Sequence, residues 1–113
     1  MGRTAPISQI EIESEIMRFM GVLELETEAF ETLAVDCAKK DALMKSNWAK
    51  AYLSAKGSIK EREAWSDYQL SDECYTYKIA EALVKAKREK LLSTRASMDA
   101  LRTLNANARA QVS

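Results

Sequence analysis

The sequence predicts an all-α protein: a long antiparallel helical hairpin, coiled-coil-like, that self-associates. Three observations predict it. The 113 residues hold one proline, Pro6, and three glycines, Gly2, Gly21 and Gly57, too little punctuation for the turns of a sheet. From Met20 to Ala55 the chain keeps an alternating spacing of three and four, the period of a helical seam. From Ser71 nothing interrupts a helix until the last residues. The composition, 47% hydrophobic and 30% charged, lies well above the disordered range.

Taken in order, residues 1–7 read as a flexible tail. Residues 8–113 read as a single helical domain with helices over about 9–56, 58–69 and 72–108. Ser8 and Glu11 have the spacing of a capping box, in which each side chain bonds the other's exposed backbone N–H. Ile10 and Ile12 alternate with acids at period two, so a short strand is the alternative there. Ile16, Phe19, Met20 and Leu23 follow helical spacing and favour helix. Gly21 marks a place for a kink or split. The seam then runs through Met20, Leu23, Thr27, Phe30, Ala34, Cys37, Asp41, Met44, Trp48, Ala51 and Ala55. An apolar seam of this length must be covered by another helix, from the same chain or a neighbour's. Leu23, Phe30, Cys37, Met44 and Trp48 are therefore the candidate oligomerisation residues.

Between Asn47 and Trp65 two readings stand. In one, Gly57 ends the first helix at a C′ position, where glycine adopts positive φ without steric cost. Ser58 with Glu61 then caps a second helix. In the other, one helix runs through and tolerates Gly57 at a cost of about 1 kcal/mol. Ile59, Trp65 and Tyr68 are the apolar marks of the segment that follows. Ser71 is the next start signal, before Asp72 and Glu73, whose charges suit a helix N-terminus. Tyr75, Ile79, Ala82, Leu83, Ala86, Leu91, Met98, Leu101 and Leu104 then outline one apolar face. Lys78, Lys85, Lys87, Arg88, Lys90, Arg95, Arg102 and Arg109 line the other side. The last four residues fray.

Several function classes are read as excluded. No run approaches 18 apolar residues, so no membrane span is expected. The start lacks an apolar secretory core, and Pro6 stands where myristoylation needs Ser or Thr. The expected location is the cytoplasm, that of the host cell if the chain is phage-encoded. Cys37 and Cys74, the two cysteines, read as reduced and unlinked thiols. Histidine is absent, which removes the commonest general base and metal ligand. No phosphate loop, metal-ligand spacing or activated nucleophile is visible. The expectation is a non-enzyme without cofactor or metal.

Charge points to a partner. The net charge is zero but uneven: residues 1–36 hold eight acids against Arg3 and Arg18, and residues 37–113 hold fifteen Lys or Arg against nine acids. The two parts are therefore −6 and +6. Lys85, Lys87, Arg88 and Lys90 fall within six residues, extended by Arg95 and Arg102. Lys and Arg neutralise phosphates and release counterions, which drives sequence-independent binding. Single strands also need flat side chains on which bases stack. Tyr52, Trp65, Tyr68, Tyr75 and Tyr77 lie between or beside the basic residues.

Residues 52–60, YLSAKGSIK, resemble a segment of the UvsY family of phage recombination mediators. There too an aromatic-Leu pair leads through a basic turn into Ser-Ile-Lys. The stretch KLLSTRASMDALRTLNANAR is similar to that family's last helix, with Met98-Asp99-Ala100-Leu101-Arg102 as the local equivalent. The resemblance implies a small helical protein that forms a ring-like homo-oligomer. It implies single-stranded DNA as ligand, and a RecA-like recombinase and single-strand-binding protein as partners, with no cofactor. Lys56 and Lys60 match the family's basic turn. With the C-terminal cluster, the candidate DNA-contacting residues are Lys56, Lys60, Lys85, Lys87, Arg88, Lys90 and Arg95. A non-enzymatic coiled-coil assembly protein, such as a virion scaffold or chaperone, is the alternative. A third reading is a small regulator that binds one protein partner through its seam.

Overall fold

The computed structural model describes residues 8–112; the tail read over residues 1–7 lies outside them. The described chain is all-α, with three helices and no strand: α1 (Gln9–Ser54), α2 (Ile59–Gln69) and α3 (Ser71–Val112). The capping box forms at the start of α1. The Glu11 N–H donates to Ser8 Oγ at 3.2 Å, and the Ser8 N–H donates to Glu11 Oε2 at 3.3 Å. Ion pairs one turn apart support its exposed side, Arg18 with Glu15 at 2.8 Å and Lys40 with Asp36 at 2.7 Å.

The helix passes through Gly21 without a break. One glycine costs about 1 kcal/mol against alanine, less than the packing of a long amphipathic face provides. Space around Gly21 is open to a Cβ. Gly21→Ala is therefore expected to stabilise the fold by about 0.5–1 kcal/mol. Thermal melting followed by circular dichroism checks this, and an unchanged or lower Tm would contradict it.

The break at Gly57 is real. Gly57 has φ 110°, the left-handed side that favours glycine. α1 ends two residues before Lys56, and Ser58 caps α2 by accepting the Glu61 N–H at 3.2 Å. The Glu61 carboxylate lies where a Cβ on residue 57 would stand. Helix α2 turns one stripe inward: Ser66 and Leu70 are buried and Arg62 is half-buried. The buried Ser66 hydroxyl donates to the Arg62 carbonyl at 2.9 Å, which satisfies it locally.

Ser71 does not cap α3, as its sequence context predicts; it is the first residue inside it. The Leu70 carbonyl takes the first helical bond, from the Cys74 N–H at 2.8 Å, while the Ser71 hydroxyl turns back to the Tyr68 carbonyl at 2.9 Å. The buried Leu70 side chain fixes this one-residue junction. Helix α3 also runs past the predicted end near Ala108, to Val112.

Contacts divide the chain into two compact units, one from the described parts of Met1–Ala29 and Lys87–Ser113, the other from Phe30–Ala86. Within each, α1 and α3 are antiparallel. In the first unit Glu13 meets Arg109 at 3.1 Å, while Glu26, further along α1, meets Lys87 and Lys90, earlier in α3. Its buried apolar residues are Ile12, Leu91 and Met98. In the second unit the Asn47 amide donates to Glu73 at 3.2 Å, and the Trp48 indole N–H donates to Asp67 on α2 at 2.9 Å. Leu70 and Ala80 are its buried apolar residues.

The α1 seam has the predicted phase: every position from Leu23 to Ala55 is half-buried, and Met20 alone is exposed. The inner face of α3 is not the predicted one in its first half. Tyr75, Ile79, Ala82, Leu83 and Ala86 are exposed; Cys74, Tyr77, Ala80, Glu81 and Val84 are turned inward. Farther on, Leu91, Met98 and Leu101 lie inward as expected, joined by Lys87, Thr94, Asn105 and Ala108. Leu104 is outside at 40% exposure. The rule of apolar positions fails where polar side chains hold inner positions by pairing. The Tyr77 hydroxyl donates to Glu81 at 2.8 Å, and Thr94 donates to the Lys90 carbonyl at 2.9 Å. The Glu81 carboxylate and burial push the Tyr77 phenol up to about 12. The inner spacing also slips once, with steps of three at 81, 84 and 87, which shifts the phase of the stripe.

Candidate nucleic-acid interface

In the second unit the candidate site gathers around α2. Lys56 is exposed in the connection after α1, and Lys60 is exposed in the first turn of α2. Arg62, between them and the body of the unit, lies with its guanidinium 5.8 Å from the Tyr52 ring. That ring is stacked on Trp48 at 5.4 Å between centroids. The inward stripe of Arg62, Ser66 and Leu70 turns Trp65 and Tyr68 outward. Their rings are 6.3 Å apart and tilted by 36°, with 48% and 72% of each residue exposed. Tyr75 at the start of α3 is exposed as well. Tyr52 and Tyr77, also counted as candidate platforms in the sequence, are half-buried and engaged. Lys85 is exposed on α3.

The same helix carries Glu61, Glu63 and Asp67, so its field is mixed. Asp67 is bound by the Trp48 indole. Beside it α1, α2 and α3 enclose an apolar groove of about 570 Å³, walled by Met44, Trp48, Leu70 and Cys74. Two of the five candidate oligomerisation residues, Met44 and Trp48, thus face a concave surface inside the unit. Phe30 and Cys37 are half-buried on the same seam, and so is Leu23 in the first unit. Cys37 and Cys74 are free thiols.

The first unit holds the remaining candidate basic residues of α3. Arg88 and Arg95 are exposed. Lys87 and Lys90, one turn apart, converge on a single carboxylate: Lys87 Nζ lies 2.6 Å from Glu26 Oε2, and Lys90 Nζ lies 3.1 Å from Oε1. The Glu26 side chain is 17% exposed and that of Lys87 24%, while Lys90 remains 58% exposed. The ammonium groups of Lys87 first, then Lys90, hold the Glu26 carboxyl below the usual carboxylate range against the opposing effect of burial. Glu26 was not singled out in the sequence. Its signal there was an acid three residues after Leu23 and four before Phe30, a flank of the seam where a partner from the facing helix is needed.

Among the described residues no group of His, Cys, Asp or Glu is placed to hold a metal ion, and no helix is long and apolar enough to cross a membrane. No family model, curated protein or solved structure matches the chain. Its own geometry therefore carries the functional reading. That geometry offers exposed ammonium and guanidinium groups, exposed rings on a short helix, and one pair of lysines closed on an internal carboxylate.

Proposed function

We propose that this chain is a non-enzymatic recombination mediator that binds single-stranded DNA and helps load a RecA-like recombinase onto strands coated by single-strand-binding protein. The observation that carries the reading is the outward placement of Trp65 and Tyr68 on α2, with Lys60 on the same short helix and Lys56 just before it. Rings at helical spacing ordinarily serve a core. Here they are solvent-facing, as base stacking requires. Lys56, Lys60, Lys85, Arg88 and Arg95, all exposed, supply phosphate contacts that carry no base specificity. No cofactor is part of the reading, and the proposed location is the cytoplasm.

The loading step is tested by the DNA-dependent ATPase of a RecA-type recombinase on an oligonucleotide pre-coated with single-strand-binding protein. Addition of the chain is expected to shorten the lag before steady hydrolysis. An unchanged lag would reduce the proposal to strand binding alone.

A second reading, coiled-coil assembly as in a virion scaffold or chaperone, is favoured by a separate observation. Tyr75, Ile79 and Leu83 form a row at i, i+4 and i+8 on the outside of α3, exposed by 70%, 46% and 50%. An uncovered apolar row of this kind favours self-association in either reading. Light scattering of the parent protein is expected to show a species larger than a monomer. A discrete assembly without any oligonucleotide binding would select the assembly reading.

A further inference from the structure

We infer that Lys87 and Lys90 form a phosphate-binding pair that Glu26 occupies as an internal stand-in, so that a single strand must displace this carboxylate to engage them. The inference rests on the DNA-binding reading and adds a competing group within it. Two ammonium groups at 2.6 and 3.1 Å from the two oxygens of one carboxylate place two positive charges where two phosphate oxygens could take the carboxylate's place. Both lysines come from consecutive turns of α3, so an anion other than Glu26 can bridge them. Glu26 comes from α1, so it can leave while the pair stays. Lys90 is the open side, 58% exposed, and Glu26 the covered one, 17% exposed. An incoming phosphate thus meets Lys90 first and exchanges with Glu26 at Lys87. The shift in Glu26 toward the charged form accords with a carboxylate that both lysines already stabilise.

The consequence is an affinity set below what the basic residues of α3 would otherwise give. Glu26→Gln keeps the side-chain shape and removes the competing charge. It is expected to tighten binding of a labelled single-stranded oligonucleotide by up to about fivefold, the range for breaking a partly exposed ion pair. The slope of log affinity against log salt should steepen by up to about 1.4, or 0.7 for each lysine released to a phosphate. Glu24→Gln is the control for net charge alone, because Glu24 is exposed and two residues away on the same helix. Glu26→Asp separates geometry from charge: it keeps the carboxylate but withdraws it from the lysines, and is expected to tighten binding part of the way.

The measurement is fluorescence anisotropy over a salt series, with circular dichroism to match helicity, and calorimetric titration with tripolyphosphate alongside. Tighter binding in both Glu26 variants and not in Glu24→Gln supports the inference. Should Glu26→Gln lose helicity, Glu26→Asp decides by itself. A parent that binds DNA, with Glu26 variants no tighter than Glu24→Gln, overturns the inference and leaves the DNA reading standing. Tripolyphosphate binding strengthened by Glu26→Gln, with no oligonucleotide binding in any protein, keeps the anion pair and overturns the DNA reading. Binding of neither probe by any variant overturns both.

Discussion

Ile12→Ala is expected to destabilise the protein by about 2–5 kcal/mol, whereas Ile10→Ala, two residues away, is expected to change stability by less than about 0.5 kcal/mol. The contrast follows from exposure: Ile12 is 1% exposed and Ile10 is 79% exposed. Truncating Ile12 removes apolar contacts and leaves a cavity that a two-helix unit has little material to refill. Among the described residues of the first unit, Leu91 and Met98 are the other buried apolar ones, so one truncation is a large part of that core. Thermal denaturation followed at 222 nm reads the difference. At about 4–8 °C per kcal/mol for a domain of this size, the Ile12 variant should melt at least about 8 °C below the parent. Equal shifts for the two variants would mean that α1 does not present this face to α3.

The second large effect concerns the aromatic pair. Trp65→Ala and Tyr68→Ala are each expected to weaken single-strand binding by about 1–3 kcal/mol per stacked base, a factor of about 30 at the middle of that range. Neither change alters the number of phosphates neutralised. The salt slope should therefore stay that of the parent while the affinity falls. Both rings lie on the outward side of α2, away from the stripe of Arg62, Ser66 and Leu70, so helicity should be preserved. Loss of affinity with a flattened slope would assign the rings a structural part in placing Lys56 and Lys60. No loss at all would remove the stacking platform from the account.

How far the fold was legible depended on what occupied the inner positions. On α1 the seam is mostly apolar, and its phase from Leu23 to Ala55 follows from spacing alone. Gly57 and Ser58 carried the break, because only the positive φ of the glycine and the cap of the serine satisfy both sides of a turn that short. On α3 the first half of the inner face departs from the apolar spacing. Tyr77 and Glu81 turn inward because they bond each other, and hydropathy assigns no inward preference to a Glu. Tyr75, Ile79 and Leu83 stay outside although they look like a core row.

The candidate site was legible as a list of charges and rings, not as an arrangement. Spacing placed Lys85, Arg88 and Arg95 on exposed sides of α3, as found. It could not show that Lys87 and Lys90 close on Glu26, because that contact joins positions about sixty residues apart and depends on the register of α1 against α3. Nor could it tell Trp65 and Tyr68 from core residues. That distinction rests on α2 being a separate short helix whose inward stripe is Arg62, Ser66 and Leu70.

The central claim, binding of single strands through phosphate contacts and ring stacking, is tested most directly by fluorescence anisotropy of the parent protein with a labelled oligonucleotide across a salt series. Binding at low salt, nearly independent of sequence, is the expected result. Five phosphate contacts per binding unit give a slope of log affinity against log salt near about −3.5. No binding at low salt, or binding with a slope near zero, would contradict it.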